Sequence, residues 1–551
     1  MNRLYIDIET NLAHDKIWVC CFYADGVMYN CHDGAMLQEA IDNSDEVVAH
    51  NGIRFDFPVL EKVWGVVIPS EKQRDTLVLS RLYNPNIEGG HSVKSLGKLA
   101  GVQKLDFDVE DFDSGLTDEM LEYCQRDVEA LKAVDLWLEA KLKQWGKPEQ
   151  SIELEHKVAR LMYEQERNGF KLDEQYAVTL LGELNSRMAA IEGELQQVFP
   201  PIVTERYSEK TGKKLKDDVE VFNVGSRQQI AKRLQQLGAK FTKKTEKGSV
   251  IVDESVLSEI DLPEAKLCLE YLTIQKMVGM LNQWLDKLER DGRVRGKVNS
   301  NGAVTGRMTQ NSPNMAQVPS VTSVYGKQAR TCWTVDKGNK LVGCDLSGIE
   351  LRCLAHNMQD DEWTKELLEG DIHTKNQLAA GLEERSQAKT MIYATLYGAG
   401  TAKIGSIVGG GRDRGKKIMD NFYKNTPALK KLKEKVTRIA AKGYLPALDN
   451  RRLLVRSEHS ALNTLLQSAG AIVAKQWLVE TDKLFEQEGI KQYVKRVVTA
   501  HDEQQLEVKE EYAEKVGQLC VKAAQISADK LGFRVRVDAE YKIGDSWYQT
   551  H

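Results

Sequence analysis

The sequence predicts an α+β protein of several domains, on three observations. Its 551 residues exceed what one hydrophobic core ordinarily serves. Strand-like alternation occurs near both ends, at Leu4–Ile8, Trp18–Tyr23, Lys340–Asp345 and Val494–Val508. Between these ends, the polar–apolar runs Ile152–Phe199 and Pro263–Arg290 have helical period. The opening strands together with a helix over Thr117–Ala140 read as an α/β domain, and the breaker-rich Lys143–Gln150 as its boundary. A further strand signal lies near Arg293–Val298. Strands separated by a long helical insert imply a sheet floor from which helical subdomains rise. No internal repeat interrupts this pattern.

Composition is that of a soluble globular protein. The start, Met1-Asn2-Arg3-Leu4-Tyr5-Ile6-Asp7, has no apolar signal region, and no run of uncharged apolar residues is long enough to span a bilayer, so a cytosolic protein is expected. Nine cysteines without a C-x-x-C spacing predict reduced thiols and no zinc site. The net charge of −5 argues weakly against a dedicated nucleic-acid binder. A basic track does run from Arg206 through Lys210, Lys213, Lys214 and Lys216 to Lys247. Acids are interspersed along it, so a merely solvated surface is an equal reading.

Two aspartates sit at the ends of buried-looking strands: Asp345 after Leu341-Val342-Gly343-Cys344, and Asp502 after Val497-Val498-Thr499-Ala500-His501. A charge there is costly unless a cation shares it. Between them, Arg385-x-x-x-Lys389-x-x-x-Tyr393-x-x-x-Tyr397-Gly398 sets like charges four apart on a helix, a mild repulsion that a polyanion would remove. Carboxylates for metal ions and a cationic helix for phosphates read as phosphoryl transfer on a nucleotide. Near the start, alternation puts Asp7 and Glu9 on one strand face and Ile6 and Ile8 on the other. Asp56 follows in His50-Asn51-Gly52-Ile53-Arg54-Phe55-Asp56. Tyr123 and Asp127 lie one turn apart on a helix with the apolar stripe Met120, Leu121, Cys124, Val128 and Leu131. Each piece alone has a bland reading: a surface strand for Asp7-x-Glu9, a capping box for Ser347 and Glu350, a polar hairpin tip for His501-Asp502-Glu503, an ordinary cap for His373.

In order, Asp7-x-Glu9, Asp56 and Tyr123-x-x-x-Asp127 resemble the three motifs of proofreading 3′–5′ exonucleases. Asp345-x-Ser347-x-x-Glu350, the Arg385 to Gly398 helix, His501-Asp502-Glu503 and the upstream Thr305-Gly306-Arg307 resemble family A DNA polymerases, the bacterial DNA polymerase I class. Longer strings, among them Asn301-Gly302-Ala303-Val304-Thr305-Gly306-Arg307 and Ala461-Leu462-Asn463-Thr464-Leu465-Leu466-Gln467-Ser468-Ala469-Gly470, are similar to the replicative polymerases of short-tailed phages of the T-odd group.

The resemblance implies an RNase H-like α/β exonuclease domain over residues 1–145 and a right-hand polymerase domain over 146–551. Within the latter the thumb would fall at about 180–290, the palm at about 291–350 and 444–551, and the fingers at about 351–443. By the same resemblance, Asp345, Asp502 and the Leu346 carbonyl would hold two Mg²⁺ ions, with Mn²⁺ a substitute and Glu503 in support. Asp7, Glu9, Asp56 and Asp127 would hold a second pair, and Tyr123 would position the attacking water. Arg385, Lys389 and His373 would meet the triphosphate, Tyr393 and Tyr397 the sugar and base, and Glu350 would exclude a ribose 2′-hydroxyl. Arg307, His459, Asn463 and Gln467, the last three recurring every fourth position, would probe the minor groove of the primer-template.

The expected partners are primer-template DNA, deoxynucleoside triphosphates and a phage helicase-primase, with the enzyme a monomer in the cytoplasm of an infected bacterium. Only about a score of residues separate Phe199 from Phe222, too few for an independently folded module, so thioredoxin is not an expected partner. Two other readings stand beside this one, a nuclease with a helical DNA-binding part and a replisome scaffold.

Overall fold

The computed structural model describes residues 2–102, 113, 115–146, 148–245 and 248–551. Two compact units divide the chain: residues 1–168, 296–316 and 338–543 form the first, and residues 169–295, 317–337 and 544–551 the second.

The first unit opens with a five-stranded sheet, β1 (Arg3–Thr10), β2 (Ile17–Ala24), β3 (Val27–Cys31), β4 (Glu46–Ala49) and β5 (Gln73–Asp75), in the order β3-β2-β1-β4-β5. β1 pairs antiparallel with β2 and parallel with β4. Alternation along β1 explains why both faces are covered: Leu4, Ile6 and Ile8 pack with Leu37, Phe57 and Leu60, while Tyr5 packs with Val19, Cys21, Cys124, Val128 and Leu131. The last three belong to the helix Asp118–Lys143, which Thr117 caps by accepting the Met120 N–H. Its Asp135 is fully buried and accepts from Arg74 Nε at 2.7 Å and Arg3 Nη1 at 3.0 Å, which fastens the helix to the sheet.

A second sheet in the same unit is four-stranded, in the order Val494–Ala500, Glu503–Lys509, Asn339–Leu346, Ala539–Gly544. The helices Ala461–Gln487 and Ala513–Lys530 share one apolar core with it, through Ile472, Val473, Trp477, Val516, Cys520, Val342 and Leu506. The helix Arg385–Leu396 contributes Met391, Ile392 and Leu396 to that core.

In the second unit, the helices Glu174–Val198 and Pro263–Asp286 run beside a small sheet of Trp333–Thr334, Phe170–Leu172 and Arg293–Val294. Its centre is aromatic, with Trp333 stacked on Phe170 at 5.2 Å and met edge-on by Trp284 at 5.0 Å. The helical run expected over Ile152–Phe199 is broken here. One helix ends at Asn168 and the next starts at Glu174, because Gly169 takes φ +62° and Phe170 pairs with Val294.

Between Phe199 and Phe222 the chain forms a short ribbon, Ile202–Thr204 against Asp218–Glu220. In the ribbon Lys214 lies 2.9 Å from Glu205, and in the helix that follows Lys232 lies 2.9 Å from Glu220. Among the described residues no helix is long and apolar enough to cross a membrane.

A buried ionic group crosses the first unit. Glu155 meets Lys475 at 2.5 Å and Arg451 at 2.6 Å, and Arg451 forks onto Asp449; none of the four side chains is more than 3% exposed. Arg451 also closes on Gly306, where a Cβ would meet Nη1 at 2.8 Å. Removing one member leaves an uncompensated buried charge, so Glu155→Gln is expected to lower stability by about 3–5 kcal/mol. Denaturant melts of the full chain check this, with a loss under about 1 kcal/mol counting against the group as a structural tie.

Candidate active sites

The four-stranded sheet brings the two distant aspartates together by register. Asp345 stands opposite Glu503 in the antiparallel ladder, and the Leu346 N–H donates to the Asp502 carbonyl at 3.0 Å. The turn between the two strands of the hairpin is only His501-Asp502, with His501 at φ +59°. Burial, followed by the Glu350 carboxylate, pushes the Asp502 carboxyl up to about 6, and Glu503 adds to the rise. Three acids therefore share one corner, and a cation there would relieve all of them.

Glu350 does not cap its helix: the N-cap of Ile349–Met358 is Gly348, with no side-chain cap bond, so the capping-box reading fails. Glu350 instead accepts from the Tyr397 hydroxyl at 3.2 Å. Tyr397 is the C-cap of the helix Arg385–Leu396, and Tyr393 lies one turn earlier. Burial and then Glu350 push both phenols up, and Asp502 contributes at Tyr393. The helix therefore stands over the acidic corner through its tyrosines.

Its cationic end is arranged differently from expectation. Arg385 is engaged by Asp371 in a fork, Nε–Oδ2 2.6 Å and Nη2–Oδ1 2.9 Å, and holds that carboxyl well below its usual range. Lys389 is exposed and makes no ion pair among the described residues. His373 lies at 6.3 Å centroid distance from the Tyr393 ring; its buried Nδ1 has no hydrogen-bond partner among the described residues. Burial, then Arg385 and Lys389, push this imidazole down, so at neutral pH it is uncharged.

A cavity beside Asp502 is lined by Arg307, Glu350, Gln467, Lys475, Thr499 and His501 among others. Arg307 and Gln467 thus reach the acidic corner. Asn463 lies one turn before Gln467 on the same helix. His459 does not share that helix; it sits in the 3₁₀ turn Glu458–Ser460 ahead of it and is exposed, so the three residues do not make one helical stripe.

In the N-terminal sheet, Asp7 and Glu9 face the helix carrying Tyr123, Cys124 and Asp127. Asp56 opens the helix Asp56–Trp64 and is 3% exposed. Burial, then Asp75 and Glu9, push its carboxyl up, so it too is a group waiting for positive charge. Asp127 is 7% exposed and Tyr123 half-buried on the same helix. Two contributors were not singled out from the sequence. Asp75 accepts the backbone N–H groups of Asn51 (3.0 Å), Ile53 (3.2 Å) and Leu77 (2.9 Å), and so shapes the loop leading to Asp56. Its N-cap position before Thr76-Leu77-Val78-Leu79 was the available signal. Cys124 lies 3.7 Å from Asp7 Oδ2.

The family model for DNA polymerase family A matches residues 202–549. The DNA-directed DNA polymerase of Enterobacteria phage T3 is 32% identical over an alignment spanning all of both chains. That of Escherichia phage T7 is 33% identical over 94% of each. Among solved structures, the POL domain of Pol1 from M. smegmatis, in complex with DNA primer-template and dNTP, superposes with TM-score 0.80 at 18% identity, covering 99% of this chain and 95% of that one; this likeness is one of fold. The chain belongs to family A of the DNA-directed DNA polymerases.

Because the Asp502 carboxyl is raised, protons compete with cations there at a higher pH than at an ordinary aspartate. Divalent-ion affinity at this corner, read by calorimetry on the full chain, is expected to fall as pH is lowered through about 6 and to be restored above it. An affinity unchanged across that pH would contradict the placement of Asp502 among the ligands.

Proposed function

We propose that the chain copies DNA from a primed template using deoxynucleoside triphosphates and removes mispaired 3′ ends at a separate site. The observation that carries the synthetic reading is the ladder that sets Asp345 opposite Glu503 and beside Asp502. The donor set, carboxylates with raised affinity for charge, suits hard divalent ions such as Mg²⁺ or Mn²⁺. When bound, two such ions would acidify the primer 3′-hydroxyl and neutralise the triphosphate.

This chain's own residues supply the rest. Asp345, Asp502 and the Leu346 carbonyl are the proposed ligands, and Glu503, accepting from Gln505 at 2.8 Å, steadies the corner. Lys389 and His373 meet triphosphate oxygens, and Arg385 joins them by exchanging Asp371 for phosphate. Tyr393 packs against the sugar, and Tyr397 leaves Glu350 to admit the template-paired nucleotide, so that closure of the helix selects the correct pair. Glu350 then crowds the position of a 2′-hydroxyl. Arg307 and Gln467, with Asn463 and His459 farther along, would follow the minor groove, where correct pairs present the same acceptors.

For excision, Asp7, Glu9, Asp56 and Asp127 are the proposed ligands and Tyr123 the group that orients water. The raised Asp56 and the convergence of Asp7 and Glu9 support this. The proposed layout is an RNase H-like exonuclease domain over 1–145 and a right-hand polymerase over 146–551, acting on phage DNA in the host cytoplasm, as a monomer and with a helicase-primase as partner. The alignment with the T3 protein runs over 706 positions against 551 residues here, so that relative carries sequence this chain lacks. With only a short ribbon between Phe199 and Phe222, added thioredoxin is expected to leave product length unchanged; a large gain would contradict this.

Primer extension with and without deoxynucleotides tests the two-site reading. Asp345→Asn or Asp502→Asn is expected to abolish growth and spare shortening, and Asp7→Ala with Glu9→Ala to do the reverse. Loss of both activities from either change in a folded protein would defeat it. Glu350→Ala is expected to raise ribonucleotide use relative to deoxynucleotide by roughly tenfold or more, measured as a ratio of kcat/KM values.

A further inference from the structure

The turn that leads into Asp56 is fastened by one buried carboxylate, and that carboxylate is fastened by a histidine. Asp56 opens the helix Asp56–Trp64, whose N-cap Phe55 makes no side-chain cap bond, so the backbone just before it decides where the Asp56 carboxylate stands. There Asn51 takes φ +63°, a left-handed geometry that side chains disfavour. Two donors hold it: the Asn51 N–H gives to Asp75 Oδ1 at 3.0 Å and the Ile53 N–H to Asp75 Oδ2 at 3.2 Å, one to each oxygen of the carboxylate. Room to shift is small, since a Cβ on Gly52 would meet Ala49 at 2.5 Å and Phe57 at 2.8 Å.

Asp75 ends β5, the edge strand of the N-terminal sheet, and its own N–H donates to His156 Nε2 at 2.9 Å. His156 Nδ1 donates in turn to the Ile152 carbonyl at 2.8 Å, one turn earlier on the helix Glu149–Asn168. These two bonds fix the ring and its tautomer, with the hydrogen on Nδ1 and the lone pair on Nε2. The imidazole is 5% exposed. Burial, opposed by the Ile152 carbonyl and aided by Arg74 and Arg160, pushes it down to about 3, so it stays an acceptor at neutral pH. Glu155, the residue before it, turns to Lys475 and Arg451 instead.

We propose that His156 is a positioning residue for excision: through the Asp75 backbone it sets the Asp75 carboxylate, the turn from Asn51 to Phe55, and so the place of Asp56 among the ion-holding acids. The inference rests on the reading of Asp7, Glu9, Asp56 and Asp127 as the excision site. His156 touches no substrate and moves no proton. It supplies one acceptor at one fixed point, which a glutamine Oε1 can also supply, whereas leucine fills similar space and accepts nothing.

The test compares His156→Leu and His156→Gln in the full-length chain. His156→Leu is expected to lower kcat for primer shortening by about 10–100-fold and to raise the Mg²⁺ concentration for half-maximal shortening, with KM for DNA and the rate of primer growth unchanged. His156→Gln is expected to restore most of the lost rate. Hydrogen exchange gives a readout apart from activity: amides of residues 51–57 lose protection in His156→Leu and keep it in His156→Gln, while those of residues 494–509 stay protected in both. Asp75→Asn, which turns one acceptor oxygen into a donor, is expected to reproduce the loss even if His156→Leu does not fold. Unimpaired shortening by His156→Leu or by Asp75→Asn overturns the proposal. So does an equal loss in the leucine and glutamine variants, or a parallel fall in growth and shortening. If the wild-type chain itself fails to shorten primers in Mg²⁺, the excision reading falls and this role with it, whereas a wild type that shortens primers beside an unimpaired His156→Leu sinks only the role of His156.

Discussion

Antiparallel pairing between Asn339–Leu346 and Glu503–Lys509 is the constraint on which the rest of the molecule depends. It runs in register from Asn339–Lys509 to Asp345–Glu503, so two chain segments more than 150 residues apart deliver their acids to one corner. The two-residue turn fixes where Asp502 lies relative to the ladder's end, and Leu346 closes it by donating to the Asp502 carbonyl. A slip of one residue would turn Asp345 into the core and Cys344 outward. Val342, Cys344 and Leu346, buried at every second position, make such a slip costly.

The surroundings hold this corner from several directions. Thr499, on the hairpin strand, donates its hydroxyl to Gln165 at 2.8 Å, and its carbonyl accepts from the Gln310 amide. Through Arg451, the buried cluster of Glu155, Lys475 and Asp449 braces the loop at Gly306 that carries Arg307, while Lys475 also lines the cavity next to Asp502. The helix Arg385–Leu396 is held in two ways of opposite permanence. Its apolar face is sealed into the core, and its polar contacts, Arg385 with Asp371 and Tyr397 with Glu350, are exposed pairs that a nucleotide could replace. A rigid floor under a helix whose polar contacts are exchangeable suits an enzyme that must test each substrate before reacting.

Much of this was legible because the controlling signals are local. Alternation in Tyr5-Ile6-Asp7-Ile8-Glu9 and in Leu341 to Asp345 gave strands and the facing of their acids, and the helical period from Pro263 gave the helix there, which ends at Asp286 and not at Arg290. What escaped depends on partners distant in sequence or on backbone geometry. The Ser347–Glu350 spacing suggested a capping box, but Gly348 in the left-handed region starts the helix and releases Glu350 to Tyr397. Periodicity alone could not show that Gly169 breaks the helical run, since the reason is a strand at Val294. The pairing of Arg385 with Asp371, fourteen residues earlier, turns on which ion pairs form, a property of the folded surface. Cys124 read as one member of an apolar stripe, which it is; only the fold reveals that its sulfur also borders Asp7.

The most direct test of the central claim is where a cation binds. A crystal of the full chain with primer-template, a deoxynucleoside triphosphate and Mn²⁺ can be read by anomalous scattering. Ions coordinated by carboxylate oxygens of both Asp345 and Asp502, beneath the triphosphate, are the predicted result. Manganese bound to only one of these residues, or a triphosphate held elsewhere, would contradict the account.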